Sequence, residues 1–464
     1  MPRAPGSARR GAARALAAAT SYAEWLGAAE EYDRLTGGDA WRAEDESPHY
    51  DADLLRLDLA SLRRLRATGP AASLELADLL TSSLYRHLAE LAAPELYEGA
   101  LAGTKHLVAD YLAEVERALQ WLAVTALPGI GNDEKKSRFT QAFRVYGRSA
   151  LMLSGGATWG FHHLGVVKAL FEQGVLPQIL SGASTGAMIA AGVCVRTDTE
   201  LADLYTHPEQ MRLDGLSPVG LRRGIEGGAL LDPERLHDVL RHNIGDYTFA
   251  EAWARSGRAL NISVSPTRRR QKARLLTHLT TPDVLVASAA LASSALPGLF
   301  PPVVLEARNA AGERVVYGPN ERWVDGSLHE DLPKLRLARL HNVNHFIVSQ
   351  TNPHVVPFAR GVSGVAPAVA GLTTSAARAL RRLPGPLGQL ADHANALASQ
   401  DYSGDIDIYP QFRPELLVRI VANPTRADLD AFIRSGERST WPKIAMITDQ
   451  TRVGRAFERA MGLL

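Results

Sequence analysis

A single cysteine, Cys194, stands in the 464 residues, so no disulfide can close within the chain. It lies in the apolar stretch that follows residue 186 and reads as a small buried hydrophobe rather than a reactive thiol. Charge of one sign is missing as well. The 51 Lys and Arg meet 50 Asp and Glu, a formal net charge of +1, which gives no footprint for a nucleic-acid partner. No long unbroken apolar run occurs. The longest candidate, Val284 to Phe300, is interrupted by Ser288, Ser293, Ser294 and Pro297-Gly298, so it reads as a buried helix followed by a turn, not a membrane span. The first residues carry Arg3, Arg9, Arg10 and Arg14 but no apolar core, which argues against a secretory signal. Residues 1–20 are expected to be a basic, disordered tail, and the protein intracellular. No internal repeat is visible. His341 and His345 have helical spacing but run into a strand and lack a third ligand, so neither a metal nor a cofactor is expected.

With hydrophobic residues at 46% and charged residues at 22%, the chain has ample material for a core, and its length suggests two or three domains. Residues 21–126 read as wholly helical. Ser21-x-x-Glu24 has the form of a capping box, and Trp25, Ala28, Ala29, Tyr32 and Leu35 follow on one face until Gly37-Gly38. Further helices are expected over 51–68, 72–91 and 105–122. Residues 127–147, beginning LPGIGN and continuing into charge, read as a linker. Then the pattern changes. Short strands at 150–154, 178–181, 259–265 and 345–350 alternate with helices such as 163–173, the signature of an α/β domain with a mostly parallel sheet over 148–352. Residues 353–464 are expected to form a mostly helical extension.

The chemistry centres on Gly182-Ala183-Ser184-Thr185-Gly186. This Gly-x-Ser-x-Gly pentapeptide stands between a strand and a helix, as in a nucleophile elbow, where a serine is held in a strained turn with its hydroxyl exposed. The helix N-terminus beneath it favours developing negative charge. Gly155-Gly156-Ala157-Thr158-Trp159-Gly160 follows the first strand and precedes a helix, which fits a nest of backbone N–H groups for an oxyanion. A dinucleotide loop is the competing reading; against it, no ribose-binding acid is convincingly placed about 20 residues on. For the base, the residues leave three candidates open: the pair His162 and His163 beside the loop, His345 downstream in the order of an α/β-hydrolase, and Asp325 in a Trp-Val-Asp-Gly-Ser turn.

Three separated segments, the loop at 155–160, the elbow at 182–186 and the Asp-Gly-Ser element at 325–327, occur in the order found in patatin-like lipases and phospholipases, and the chain resembles that family. DGSLHEDLPKLRLARLHNVNHFIVSQTNPHVVPFAR (325–360), ALPGLFPPV (295–303), QDYSGDIDIYP (400–410) and GERSTWPKIAMI (436–447) resemble its triacylglycerol-lipase branch. SYAEWLGAAEEYDRLTGGDAWRAEDESPHYD (21–51) and GTKHLVADYLAEV (103–115) resemble the helical domain of unknown function that precedes the patatin domain there.

The resemblance implies a patatin-like three-layer sandwich after an all-helical N-terminal domain. It implies a catalytic dyad of Ser184 and Asp325, without histidine, with the N–H groups of Gly155, Gly156 and Ala157 as the oxyanion hole and Gly160, Gly182, Gly186 and Gly326 shaping the motifs. A carboxylate base far more acidic than a serine hydroxyl requires Asp325 to be desolvated and within hydrogen-bond reach of Ser184. Two residues depart from the family pattern. Trp159 stands where many phospholipases carry a cation, which points to neutral acylglycerols, and Ala157 stands where glycine is usual. Phospholipase A or lysolipid acyltransferase activity on the same dyad is the rival, and an inactive lipid-binding scaffold is the rival of another class. The implied setting is the cytoplasm with peripheral contact to a membrane or lipid droplet. Gly361–Leu383 is a candidate interfacial helix, and Arg268, Arg269, Arg270, Lys272 and Arg274 a candidate anionic-lipid contact.

Overall fold

The computed structural model of the chain describes residues 6–91, 93–219, 229–268, 271–352, 402–411 and 421–464. The candidate interfacial helix at 361–383 lies outside the described residues, as do Arg269 and Arg270 of the basic cluster. Of that cluster, Arg274 lays its guanidinium over the Trp323 ring at 5.1 Å from the centroid. Backbone contacts divide the chain into two compact units, residues 1–149 with 440–464, and residues 150–439.

The first unit is helical: α1 (Gly6–Ala18), α2 (Tyr22–Thr36), α3 (Gly38–Ala43), α4 (Ala52–Thr68), α5 (Ser73–Leu91), α6 (His106–Val124) and α7 (Asn132–Tyr146). Three expectations need correction here. The segment expected to be a disordered tail contains α1; it is alanine-rich, and alanine has the highest helix propensity. The segment expected to be a linker contains α7, which begins with Asp133 and Glu134 in its first turn, where acids suit the helix dipole. Its charged start hides the stripe Phe139, Phe143 and Tyr146, whose rings surround Phe457 at 6.3, 5.5 and 6.0 Å. Phe457 belongs to the closing helix Ile444–Leu463, so the last helix completes the N-terminal core instead of extending the catalytic domain. The capping box is also only half formed. Ser21 Oγ accepts the Glu24 N–H at 3.3 Å, but the Glu24 carboxylate takes the N–H of Thr20 at 2.8 Å rather than that of Ser21.

The second unit is an α/β fold. Its elements run β1 (Arg148–Leu153), α8 (His162–Glu172), β2 (Ile179–Gly182), α9 (Thr185–Cys194), α10 (Asp198–Thr206), α11 (Pro233–Ile244), α12 (Phe249–Ser256), β3 (Ala259–Pro266), β4 (Arg274–Thr277), α13 (Val286–Ser294), β5 (Leu305–Arg308), β6 (Arg314–Tyr317), β7 (Trp323–Asp325), α14 (Ser327–Glu330), α15 (Lys334–His341), β8 (Val343–Ser349), β9 (Ile406–Ile408) and α16 (Arg426–Thr440). The main sheet has the order β4-β3-β2-β1-β8-β9, with β7 added on β3. The pairs β1/β2, β2/β3 and β8/β9 are parallel, while β4 and β7 run antiparallel to β3. Every residue of β2 and β3 is buried, as expected for strands covered on both faces. The catalytic domain expected at 148–352 is therefore longer: β9 adds a strand to its sheet, and the unit continues to residue 439. The stretch 284–300 forms the wholly buried α13 and then a turn, and among the described residues no helix is long and apolar enough to cross a membrane.

Strand order reverses at β1, whose neighbours are β2 on one side and β8 on the other. A crevice opens outside the carboxyl ends of the strands at such a switch point. The loops after β1 and β2 share that edge because Leu153 is in register with Gly182. Antiparallel β7 brings Asp325 to the same edge, opposite Val264 near the end of β3.

Candidate active site

Ser184 sits between β2 and α9 with φ 52° and ψ −125°, a conformation that L-residues rarely adopt. The turn is tight enough to dictate its glycines. A Cβ on Gly182 would collide with the carbonyl oxygen of Gly186, and one on Gly186 with that of Leu153. The Ser184 N–H donates to Ser293 Oγ at 3.0 Å, and the Ser293 hydroxyl donates in turn to Ser263 O at 2.7 Å. Buried α13 thus steadies the elbow from below. Gly160 packs against Thr185, with no room for a side chain between them.

Asp325 is fully buried, with the Ser184 hydroxyl near enough to its carboxyl to lower its pKa. The carboxylate accepts the Ser327 N–H at 2.8 Å. Burial raises its pKa to about 6, against the lowering effect of Ser327 and Ser184. Gly326 lets the chain turn directly over Ser263 O.

The loop after β1 differs from expectation in one donor. The Gly155 N–H does not face the crevice as an oxyanion donor; it donates to Asp331 Oδ1 at 2.9 Å. The N–H groups of Gly156 and Ala157 have no hydrogen-bond partner among the described residues. Gly156 lies against Thr351 too closely for a side chain. Ala157 takes φ 48°, in the left-handed region, and retains its N–H at the cost of local strain.

Asp331 is the residue that sequence reasoning missed. It is fully buried, and besides Gly155 it accepts Asn352 Nδ2 on Oδ2 at 2.6 Å. Burial and the nearby Asp325 charge push its carboxyl up to about 7. Its only sequence signal was an acid six residues beyond Asp325, inside the charged run His-Glu-Asp.

The histidine candidates serve elsewhere. His163 is buried with Nδ1 at 2.7 Å from Ser349 Oγ and Nε2 at 2.9 Å from Ser154 O, so both ring nitrogens are engaged. Burial depresses its pKa to about 4 and that of His162 to about 3, so both remain neutral. His345 lies four residues before Ser349 on β8, roughly 13 Å down the strand from the crevice edge at about 3.3 Å per residue. His341 bonds Asn261 Oδ1 at 2.8 Å. No group of acids, histidines and cysteine suited to a metal occurs among the described residues.

Ser184 opens on a largely apolar cavity between α9 and α11, lined by Met188, Ile189, Val193, Leu236, Val239 and Leu240 among others. Two arginines, Arg196 and Arg212, reach its wall. Trp159 is buried and is not part of the lining, so any influence on a lipid headgroup would be indirect.

Residues 151–336 match the patatin-like phospholipase family, and residues 4–145 match a domain of unknown function (DUF3336). A triacylglycerol lipase of Schizosaccharomyces pombe, ptl3, is 35% identical over 92% of this chain and 92% of its own length. A patatin-like phospholipase domain-containing protein of Chaetomium globosum is 35% identical over 96% of this chain, and one of Pyricularia oryzae 34% identical over 96%. The chain spans 56% and 62% of the length of those two relatives. The crystal structure of VipD from Legionella pneumophila aligns with 65% of this chain and 67% of its own at 14% identity and a TM-score of 0.33.

Proposed function

The chain belongs to the patatin-like phospholipase family, and on that premise we propose that it is a serine lipase that hydrolyses the carboxylic esters of acylglycerols through Ser184 and Asp325. One observation carries the reading: a serine in a strained elbow lies beside a fully buried carboxyl, and its hydroxyl lowers a pKa that burial raises to about 6.

Ser184 Oγ attacks the ester carbonyl carbon while its proton passes to Asp325. The tetrahedral oxyanion is held by the Gly156 and Ala157 N–H groups at the start of the short helical turn 157–161. Collapse breaks the bond to the alcohol, which takes the proton from Asp325 and leaves an acyl-serine. Water then attacks the acyl carbonyl with Asp325 as base, and the second collapse releases the fatty acid and restores the serine. Burial serves this chemistry twice. It raises the basicity of the carboxylate, and it strengthens each hydrogen bond to the oxyanion.

An apolar cavity beside the nucleophile suits an acyl chain, and exposed Val421 on its wall suits docking at a lipid surface. A phospholipase A is the second reading, favoured by the guanidinium groups of Arg196 and Arg212 in the same wall. Fatty-acid release from triolein and from phosphatidylcholine by wild type and Ser184→Ala tests both. Release from triolein that requires Ser184 supports the acylglycerol lipase; release from phosphatidylcholine alone replaces it with the phospholipase. No Ser184-dependent release from either leaves only a lipid-binding role.

A further inference from the structure

One face of α9 runs from the nucleophile along the cavity. Thr185, Met188, Ile189, Gly192 and Val193 all line it, at the spacing of a single helical stripe. The stripe ends at Arg196, also in the wall. The Arg196 guanidinium folds back onto the helix. Nη1 donates to Gly192 O at 2.6 Å, and Nη2 crosses to Asn243 O at the end of α11 at 2.8 Å. No carboxylate lies within ion-pair distance of it among the described residues. Desolvation depresses its pKa, the mark of a cation already short of water. Gly192 leaves the stripe open just short of the guanidinium: a Cβ built there would meet only Arg196 Nη1, at an ordinary 3.5 Å.

We propose that α9 is an acyl-chain ruler, with Gly192 giving passage to the chain and the Arg196 guanidinium marking its far end. The inference rests on the serine-lipase reading of Ser184. A helix rises about 1.5 Å per residue, so the distance from Ser184 to the level of the Gly192 carbonyl is roughly 12–15 Å. An extended alkyl chain with bonds of about 1.5 Å advances about 1.25 Å per carbon, and so fills that length with about 10–12 carbons. Each methylene laid in the groove is favourable until the chain reaches the guanidinium. Beyond that point the methyl end strips the remaining water from a cation without offering it a hydrogen bond, which is unfavourable. The limit is therefore electrostatic as well as steric.

The test is a kcat/KM profile with p-nitrophenyl esters from butanoate to octadecanoate in mixed micelles, for wild type, Ser184→Ala, Gly192→Leu and Arg196→Met. Wild type should gain up to about fourfold per added methylene, reach a maximum near decanoate to dodecanoate, and then fall. Gly192→Leu fills the passage and should move the maximum to shorter esters. Arg196→Met replaces the cation with an apolar chain of similar length and should move it to longer ones. These opposite shifts do not follow from a general loss of folding. If butanoate hydrolysis requires Ser184 but the profile is flat, or neither substitution moves its maximum, the ruler alone is overturned. If Ser184→Ala hydrolyses butanoate as wild type does, the serine-lipase reading falls and the ruler with it.

Discussion

Asp331 accepts the N–H of Gly155 at 2.9 Å and so removes from the oxyanion loop the first of the three donors its sequence offers. The same carboxylate is held by Asn352, and the charge of Asp325 raises its pKa. Two buried carboxyl groups therefore stand at one site with different tasks. Asp325 lies beside the serine hydroxyl, and Asp331 fixes the backbone whose next two N–H groups have no partner among the described residues.

The dyad is tested by substitution. Ser184→Ala and Asp325→Asn should each lower ester hydrolysis by about 10³-fold, and the double variant should lose little more, since the two residues act on one proton. A fluorophosphonate probe should label wild type and leave Ser184→Ala unlabelled. Equal labelling of the two would remove Ser184 from the chemistry.

The pH–rate profile should carry both carboxyls. Asp325 must be ionised to accept a proton, so kcat/KM should rise with pH through about 6. Asp331 ionises next, near 7, and its new charge opposes the oxyanion. Activity should therefore decline above that point in wild type. Asp331→Asn keeps an oxygen for Gly155 but carries no charge, so its decline should disappear while the rise near 6 stays. A decline unchanged in Asp331→Asn would assign it to another group.

Stability should respond to the same substitution with a definite sign. Between the ordinary aspartate value near 3.9 and about 7, the folded protein retains a proton on Asp331 that the unfolded chain has released. Stability is lost as pH rises through that window. Asp331→Asn, with the Asn352 amide turned to present its oxygen, should therefore be more stable than wild type at pH 8 by a few kcal/mol and gain nothing near pH 4. Urea unfolding at the two pH values measures the difference.

His345→Ala should leave kcat/KM unchanged, because the residue lies well down β8 from the crevice. A large loss there, with Asp325→Asn active, would replace the dyad with a histidine-based mechanism.

Ala157→Gly relieves a residue held at φ 48° and should stabilise the fold by about 1 kcal/mol, read as a rise in Tm. Hydrolysis should persist, since glycine offers the same N–H.

What was legible in the sequence followed from local demands. The Gly-x-Ser-x-Gly elbow can be read because it is a contiguous pattern, and a Cβ on Gly182 would collide with Gly186 inside it; the demand for Gly186 comes instead from Leu153 on β1. The alternation of strands and helices can be read because β2 and β3 are buried on both faces. Asp331 stayed hidden because an acid in a charged run carries no mark of burial; its partners Gly155 and Asn352 are far away in sequence. Helix α7 was masked by charges at its start, and the ring that its aromatic stripe encloses, Phe457, comes from the other end of the sequence. Strand β9 was missed for the same reason: three residues acquire their meaning only beside β8.

The aromatic cluster around Phe457 also has a temporal consequence. During synthesis the helices of residues 6–146 leave the ribosome first, yet the ring that fills their core arrives only after residues 150–439 have been translated. Domains fold as units in the order they emerge. Here the earlier unit waits with part of its apolar surface uncovered while the later one acquires its whole chain, so the hydrolase half is poised to mature before the half that precedes it.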